Sequence, residues 1–176
     1  AGLPKGVFNL VPGSGEAVGK MLVEDERIRM VAFTGSTAVG KGIAAKASQR
    51  LKKYTLEMGV KNPLILLKDF DVEQAVKIAG FGAFFHQGQI CMCTSRMIVE
   101  EPVYDQFCEK FTAYARTMKV GDPHQQDTII GPLIKQEQCQ IIDSQIKDAV
   151  SKGAVLLTGG THEGNYYQPT VLSNVT

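Results

Sequence analysis

The chain has 176 residues, 44% hydrophobic and 21% charged, with a formal net charge of +1, four cysteines and no tryptophan. The sequence has no low-complexity run, and its scattered basic residues give no nucleic-acid surface. No apolar stretch approaches the roughly 20 residues that span a bilayer, and four cysteines without a pairing pattern point to a reducing, cytoplasmic setting.

In chain order, the apolar run Val7 to Val11 reads as a strand feeding a helix through Gly13, Gly15 and Gly19. Their spacing is G-x-G-x-x-x-G, which differs from the G-x-G-x-x-G of the dinucleotide fingerprint. Met30 to Phe33 predicts a second strand, running through Thr34-Gly35-Ser36-Thr37 into a helix. The basic cluster Arg50 to Lys53 after that helix reads as a solvated end, where positive charge favours the helix dipole. Tyr54 to Leu56 reads as a strand ending near Gly59, and Asn62 to Lys68 as the next.

A helix capped by Asp71 follows, with Val72, Ala75, Val76, Ala79 and Ala83 on one face. After the stretch Phe85 to Cys91 come a strand at Arg96 to Glu100 and a helix opened by Pro102, its core face Val103, Phe107, Phe111, Tyr114 and Met118. Gly121-Asp122-Pro123 breaks it. A last helix near Lys135 to Lys152 turns Cys139, Ile142, Ile146, Ala149 and Val150 inward, which makes Cys139, like Cys108, structural. Ala154 to Thr158 is a final strand. The alternation predicts an α/β fold with parallel sheet.

Three passages carry candidate chemistry. Cys91 is surrounded by small and polar residues, as a nucleophilic thiolate needs, although a buried structural cysteine fits this segment as well. Glu57 can serve as a general base if its surroundings raise its affinity for protons; a solvated or ion-paired glutamate near Lys61 is the other reading. The strand-turn-helix at Thr34-Gly35-Ser36 offers first-turn amides and hydroxyls to an anion, while Ser36 is equally read as a plain helix cap. His86, Cys91 and Cys93 do not form a metal motif, because C-x-C departs from the usual C-x(2-4)-C and no second pair follows; no metal is expected.

Taken in order, Leu3 to Gly13, Phe33-Thr34-Gly35-Ser36-Thr37, Leu56-Glu57-Met58-Gly59 and Phe85-His86-Gln87-Gly88-Gln89-Ile90-Cys91 resemble motifs of the aldehyde dehydrogenase superfamily. Gly131-Pro132-Leu133 and Tyr167-Gln168-Pro169-Thr170-Val171 resemble later landmarks of the same family. The resemblance implies that part of a Rossmann-like cofactor domain, residues 1–58, precedes part of an α/β catalytic domain, residues 59–176. It implies NAD or NADP as cofactor, lined by Gly15, Gly19, Thr34, Gly35, Ser36 and Gly59. It further implies an aldehyde substrate, attack by Cys91 to give a thiohemiacetal and then a thioester, and hydrolysis assisted by Glu57.

The same resemblance implies an internal fragment of the catalytic unit, lacking the family's oxyanion-hole asparagine, its ribose-binding lysine and the later glutamate of its Phe-Gly-Pro motif, cut from a homo-oligomeric parent. A remnant without catalysis, binding a partner or complementing a missing piece, is the alternative. Val60 stands where the family usually has a glycine, and His86 where many members carry asparagine. His86 to Cys91 also resembles members acting on aromatic aldehydes such as benzaldehyde. Cys91 and Cys93, two apart on a segment read as extended, are expected to face one side and to be sensitive to oxidation.

Overall fold

A computed structural model describes residues 2–175. The chain forms two compact units, Ala1–Gly59 and Val60–Thr176.

In the first unit, Ser14 accepts the Ala17 amide at 3.1 Å and starts a π-helical turn, Gly15–Gly19, that continues as α1, Lys20–Glu24. The strand β1 (Met30–Gly35) leads through Ser36 into α2 (Thr37–Gln49), and β2 (Lys53–Met58) returns parallel to β1 with Thr34 paired to Glu57. The Lys46–Glu24 ion pair ties α2 to α1, and the Arg50 guanidinium reaches Glu26 at 2.8 Å.

Two expectations fail in this unit. Residues 7–11 form no strand; they are exposed, and among the described residues their local bonds are a turn from the Val7 amide to Pro4 and the Asn9 side chain donating to Gly6. An apolar run becomes a strand only when a partner takes its backbone groups, and none among the described residues does. Lys52 is not solvated: it is 8% exposed, and its ammonium donates to the carbonyls of Val23 at 2.7 Å and Asp25 at 2.6 Å, capping the end of α1.

The second unit opens with β3 (Asn62–Leu66), parallel to β4 (Thr94–Val99), with α3 (Val72–Phe84) between them in sequence. The Asp71 carboxylate accepts the Gln74 amide at 2.7 Å, the capping geometry its position predicts. Helix α4 (Glu101–Arg116), with Pro102 in its first turn, packs on α3. Their shared core holds Leu66, Val72, Ala75, Val76, Ala79, Phe107, Phe111 and Ala115, with the Phe107 and Phe111 rings stacked at 5.4 Å.

Helix α5 (Gln136–Ser151) seats Cys139, Ile142 and Ile146 against Leu133 and Tyr167. Val150 shares that angular face but is 46% exposed, because the cover ends before the last helical turn. The strand β5 (Val155–Thr158) pairs antiparallel with β8 (Val171–Ser173), enclosing the short hairpin of β6 (His162–Glu163) and β7 (Tyr166–Tyr167). The fold is mixed α/β with parallel strand pairs, as the alternation predicts, plus these antiparallel pairs. No helix among the described residues is long and apolar enough to cross a membrane.

Candidate active site

Cys91 lies at the end of an unusual backbone path. Helix α3 stops at Phe84, and the next turn carries His86 at φ 53°, Gln87 at φ 57° and Gly88 at φ 69°. Three successive left-handed residues, two with a Cβ, cost on the order of 1–3 kcal/mol for each non-glycine and persist only where neighbours over-determine them. Here the neighbours are side-chain amides. In the orientation that satisfies both its ends, Gln87 donates to the His86 carbonyl at 3.0 Å and accepts the Gly131 amide at 2.9 Å, while Gln89 accepts the Ile134 amide at 3.0 Å.

The path then closes in a turn, with the Cys93 amide donating to the Ile90 carbonyl at 3.0 Å. The side-chain amide of Asn62, on β3, donates to the carbonyls of Cys91 at 2.8 Å and Cys93 at 3.1 Å. Cys91 is exposed, whereas Cys93 is buried with its Sγ 3.4 Å from the Phe85 carbonyl. The two thiols therefore do not share a face. Residues 91–93 form a turn rather than the extended segment expected, and a turn rotates alternate side chains apart.

The remaining cysteines are of a different kind. Burial pushes the Cys139 thiol up, next to a contact with the Gly164 carbonyl at 3.6 Å, and burial likewise raises the half-buried Cys108. A thiol kept protonated is a poor nucleophile. No group of three or more His, Cys, Asp or Glu side chains is placed to hold a metal ion among the described residues.

In the first unit, Thr34 and Gly35 end β1 and Ser36 caps α2, its hydroxyl accepting the Val39 amide at 3.4 Å. That use leaves the Ser36 hydroxyl hydrogen free, and the first-turn amides of Thr37 and Ala38 have no partner inside the helix. Both readings of this turn are thus compatible: a cap that still offers donors to an anion. A Cβ at Gly35 would come 2.4 Å from the tip of the Phe33 ring, so a side chain there would require that ring to move.

At Gly15, Gly19 and Gly59 an added Cβ meets nothing within 4 Å, so each looks onto open space. Glu57 stands exposed on β2 beside Thr34. Val60 lies outside the left-handed region, as does Gly59, so its branched side chain imposes no backbone strain. Asn62, Gln87 and Gln89 are contributions that motif spacing does not announce; an asparagine directly before a strand proline and two glutamines flanking a glycine are their only traces.

The family model described as the aldehyde dehydrogenase family matches residues 1–176. A vanillin dehydrogenase from an Amycolatopsis species is 42% identical over 98% of this chain and 35% of its own length. A benzaldehyde dehydrogenase (NAD+) of Pseudomonas putida is 42% identical over 99% of this chain and 36% of its own. Among solved structures, a succinate-semialdehyde dehydrogenase from Burkholderia pseudomallei superposes with a TM-score of 0.95 at 39% identity, covering 99% of this chain and 37% of that one. A betaine aldehyde dehydrogenase from Staphylococcus aureus in complex with NAD+ gives a TM-score of 0.95 at 34% identity, covering 99% and 36%. The chain therefore spans little more than a third of the length of the relatives it matches, and it belongs to the aldehyde dehydrogenase family.

Proposed function

We propose that this chain carries the nucleophile, the general base and part of the cofactor site of an NAD(P)-dependent enzyme that oxidises an aldehyde to a carboxylic acid. The observation that supports it most is the contrast among the thiols: Cys91 is exposed on an over-determined turn, while Cys93 and Cys139 are buried and Cys108 is half-buried.

In this reading the Cys91 thiolate adds to the aldehyde carbon, forming a C–S bond and an oxyanion that accepts backbone N–H donors, that of Cys91 among them. The nicotinamide, when bound, supplies the hydride acceptor that lets the carbonyl re-form as a thioester on Cys91. Glu57 then takes a proton from water as the water oxygen attacks that thioester, and the C–S bond breaks to return the thiolate and release the acid. Gly15, Gly19 and Gly59 leave room for the cofactor, and Thr34, Gly35 and Ser36 with the first amides of α2 would hold its charged portion. The His86 to Cys91 run and the names of relatives acting on vanillin, benzaldehyde and salicylaldehyde make aromatic aldehydes the first substrates to try.

The test is made on the full-length protein bearing this sequence. Cys91→Ser should abolish aldehyde-dependent cofactor reduction. Glu57→Gln should keep a single rapid burst of reduced cofactor and lose the steady rate, because only hydrolysis needs the base. Turnover that survives Cys91→Ser, or a Glu57→Gln enzyme that cycles normally, contradicts the assignment.

A further inference from the structure

The turn bearing Cys91 is gripped by one side chain from outside it. Asn62 begins β3, where its backbone pairs with Thr94, and the ladder slips between Asn62 and Pro63, so that Pro63 meets Arg96. Proline has no amide to give to a ladder, and such a position accommodates a bulge. Beside that slip the Asn62 side chain reaches the cysteine turn, and its two amide hydrogens serve two carbonyls, Cys91 at 2.8 Å and Cys93 at 3.1 Å.

We propose that Asn62 is a positioning residue for Cys91, working as a two-pronged clamp that keeps the Cys91 sulfur outward and the Cys93 sulfur inward. The proposal rests on Cys91 being the nucleophile. Fixing the Cys91 carbonyl sets the peptide plane on one side of its Cα, and the Ile90–Cys93 bond closes the other side of the turn. Released from the clamp, residues 91–93 can relax toward an extended path, in which side chains two apart point the same way. Cys93 then leaves the Phe85 carbonyl and emerges beside Cys91.

The experiment is competitive alkylation of the full-length protein with iodoacetamide, the modified thiols being located by fragmenting the peptide that contains both cysteines, alongside steady-state kinetics. The unsubstituted enzyme should label Cys91 and protect Cys93. Asn62→Asp keeps the size of the side chain and removes both donors, and Asn62→Ala removes the side chain. Both should lower the Cys91-to-Cys93 labelling ratio by about tenfold or more and lower kcat by about 10- to 100-fold with the KM for cofactor unchanged, as a displacement near 1 Å of a reacting group does. Asn62→Ser, with one donor, should fall between.

Asn62→Asp behaving as the unsubstituted enzyme would mean that shape rather than donation matters, and the clamp is rejected. Equal labelling of Cys91 and Cys93 in the unsubstituted enzyme rejects it without any variant, which covers the case in which Asn62→Ala does not fold. If Cys91→Ser retains turnover, the nucleophile assignment falls by itself, and the labelling ratio still reports on the clamp.

Discussion

Replacing Gly88 by alanine perturbs the backbone leading into Cys91 while adding a single methyl group. Gly88 has φ 69°, where an L-residue with a Cβ loses about 1–2 kcal/mol. The new Cβ would lie 3.2 Å from the Ala83 carbonyl oxygen, a backbone atom at the end of α3 with little room to retreat. Against this, alanine reduces the freedom of the unfolded chain and returns about 0.4–1 kcal/mol. The steric and conformational costs win, and a net loss of about 1 kcal/mol is expected, read as a lower urea midpoint at unchanged slope.

Turnover should suffer more than stability. The loss should be about 10- to 100-fold in kcat, because the strained stretch fixes where the sulfur sits. Gly153→Ala is the control: its φ is 103° and nothing lies within 4 Å of the added Cβ, so it should cost stability and leave kcat alone. A Gly88→Ala enzyme as stable and active as its parent, or a Gly153→Ala enzyme equally slowed, would refute this role for the loop.

Two further outcomes are expected from features away from that loop. Lys52→Met should cost about 1–3 kcal/mol, the range for stranding buried acceptors, since the Val23 and Asp25 carbonyls lose their ammonium donor; hydrogen exchange should show α1 loosening first. The Tyr167 hydroxyl donates to Asp143 Oδ1 at 2.5 Å; burial, then that bond, pushes the phenol well above its ordinary 10.0, and the same bond holds the carboxyl below its ordinary 3.8. The phenol's contribution to stability is therefore complete below pH 10.0 and lost as pH rises toward the raised value, whereas the carboxylate's is complete above pH 3.8 and lost as pH falls through the depressed value. Melting temperature against pH should show both limbs, and Tyr167→Phe should flatten the alkaline one.

The helices of the second unit were legible because their signals are local: Asp71 as a cap, Pro102 in a first turn, and the spacing of Phe107 and Phe111 each act within a few residues. What misleads depends on partners far along the chain. The run Val7 to Val11 is apolar enough for a strand and, among the described residues, lacks one to pair with. Lys52 looks like one more charge in a basic cluster until two carbonyls 29 and 27 residues upstream enclose it. Cys91 and Cys93 differ by two positions on paper, and the donors that separate them come from Asn62, 29 and 31 residues away. The motif around Cys91 names the thiol; its support, through Gln87, Gln89 and Asn62, is written in residues whose importance appears only when their amides find carbonyls and N–H groups elsewhere.

The slip between Asn62 and Pro63 inserts Ser95 as an unmatched tooth between two meshing racks. On one side of it stands the cysteine turn; on the other, Met97 and Val99 press on the α3–α4 core. Because a strand alternates faces at every step, deleting Ser95 would rotate one of these two by half a revolution relative to the other. The phase between cysteine turn and hydrophobic interior is thus a whole-number quantity, which point substitutions can strain but only insertion or deletion can reset.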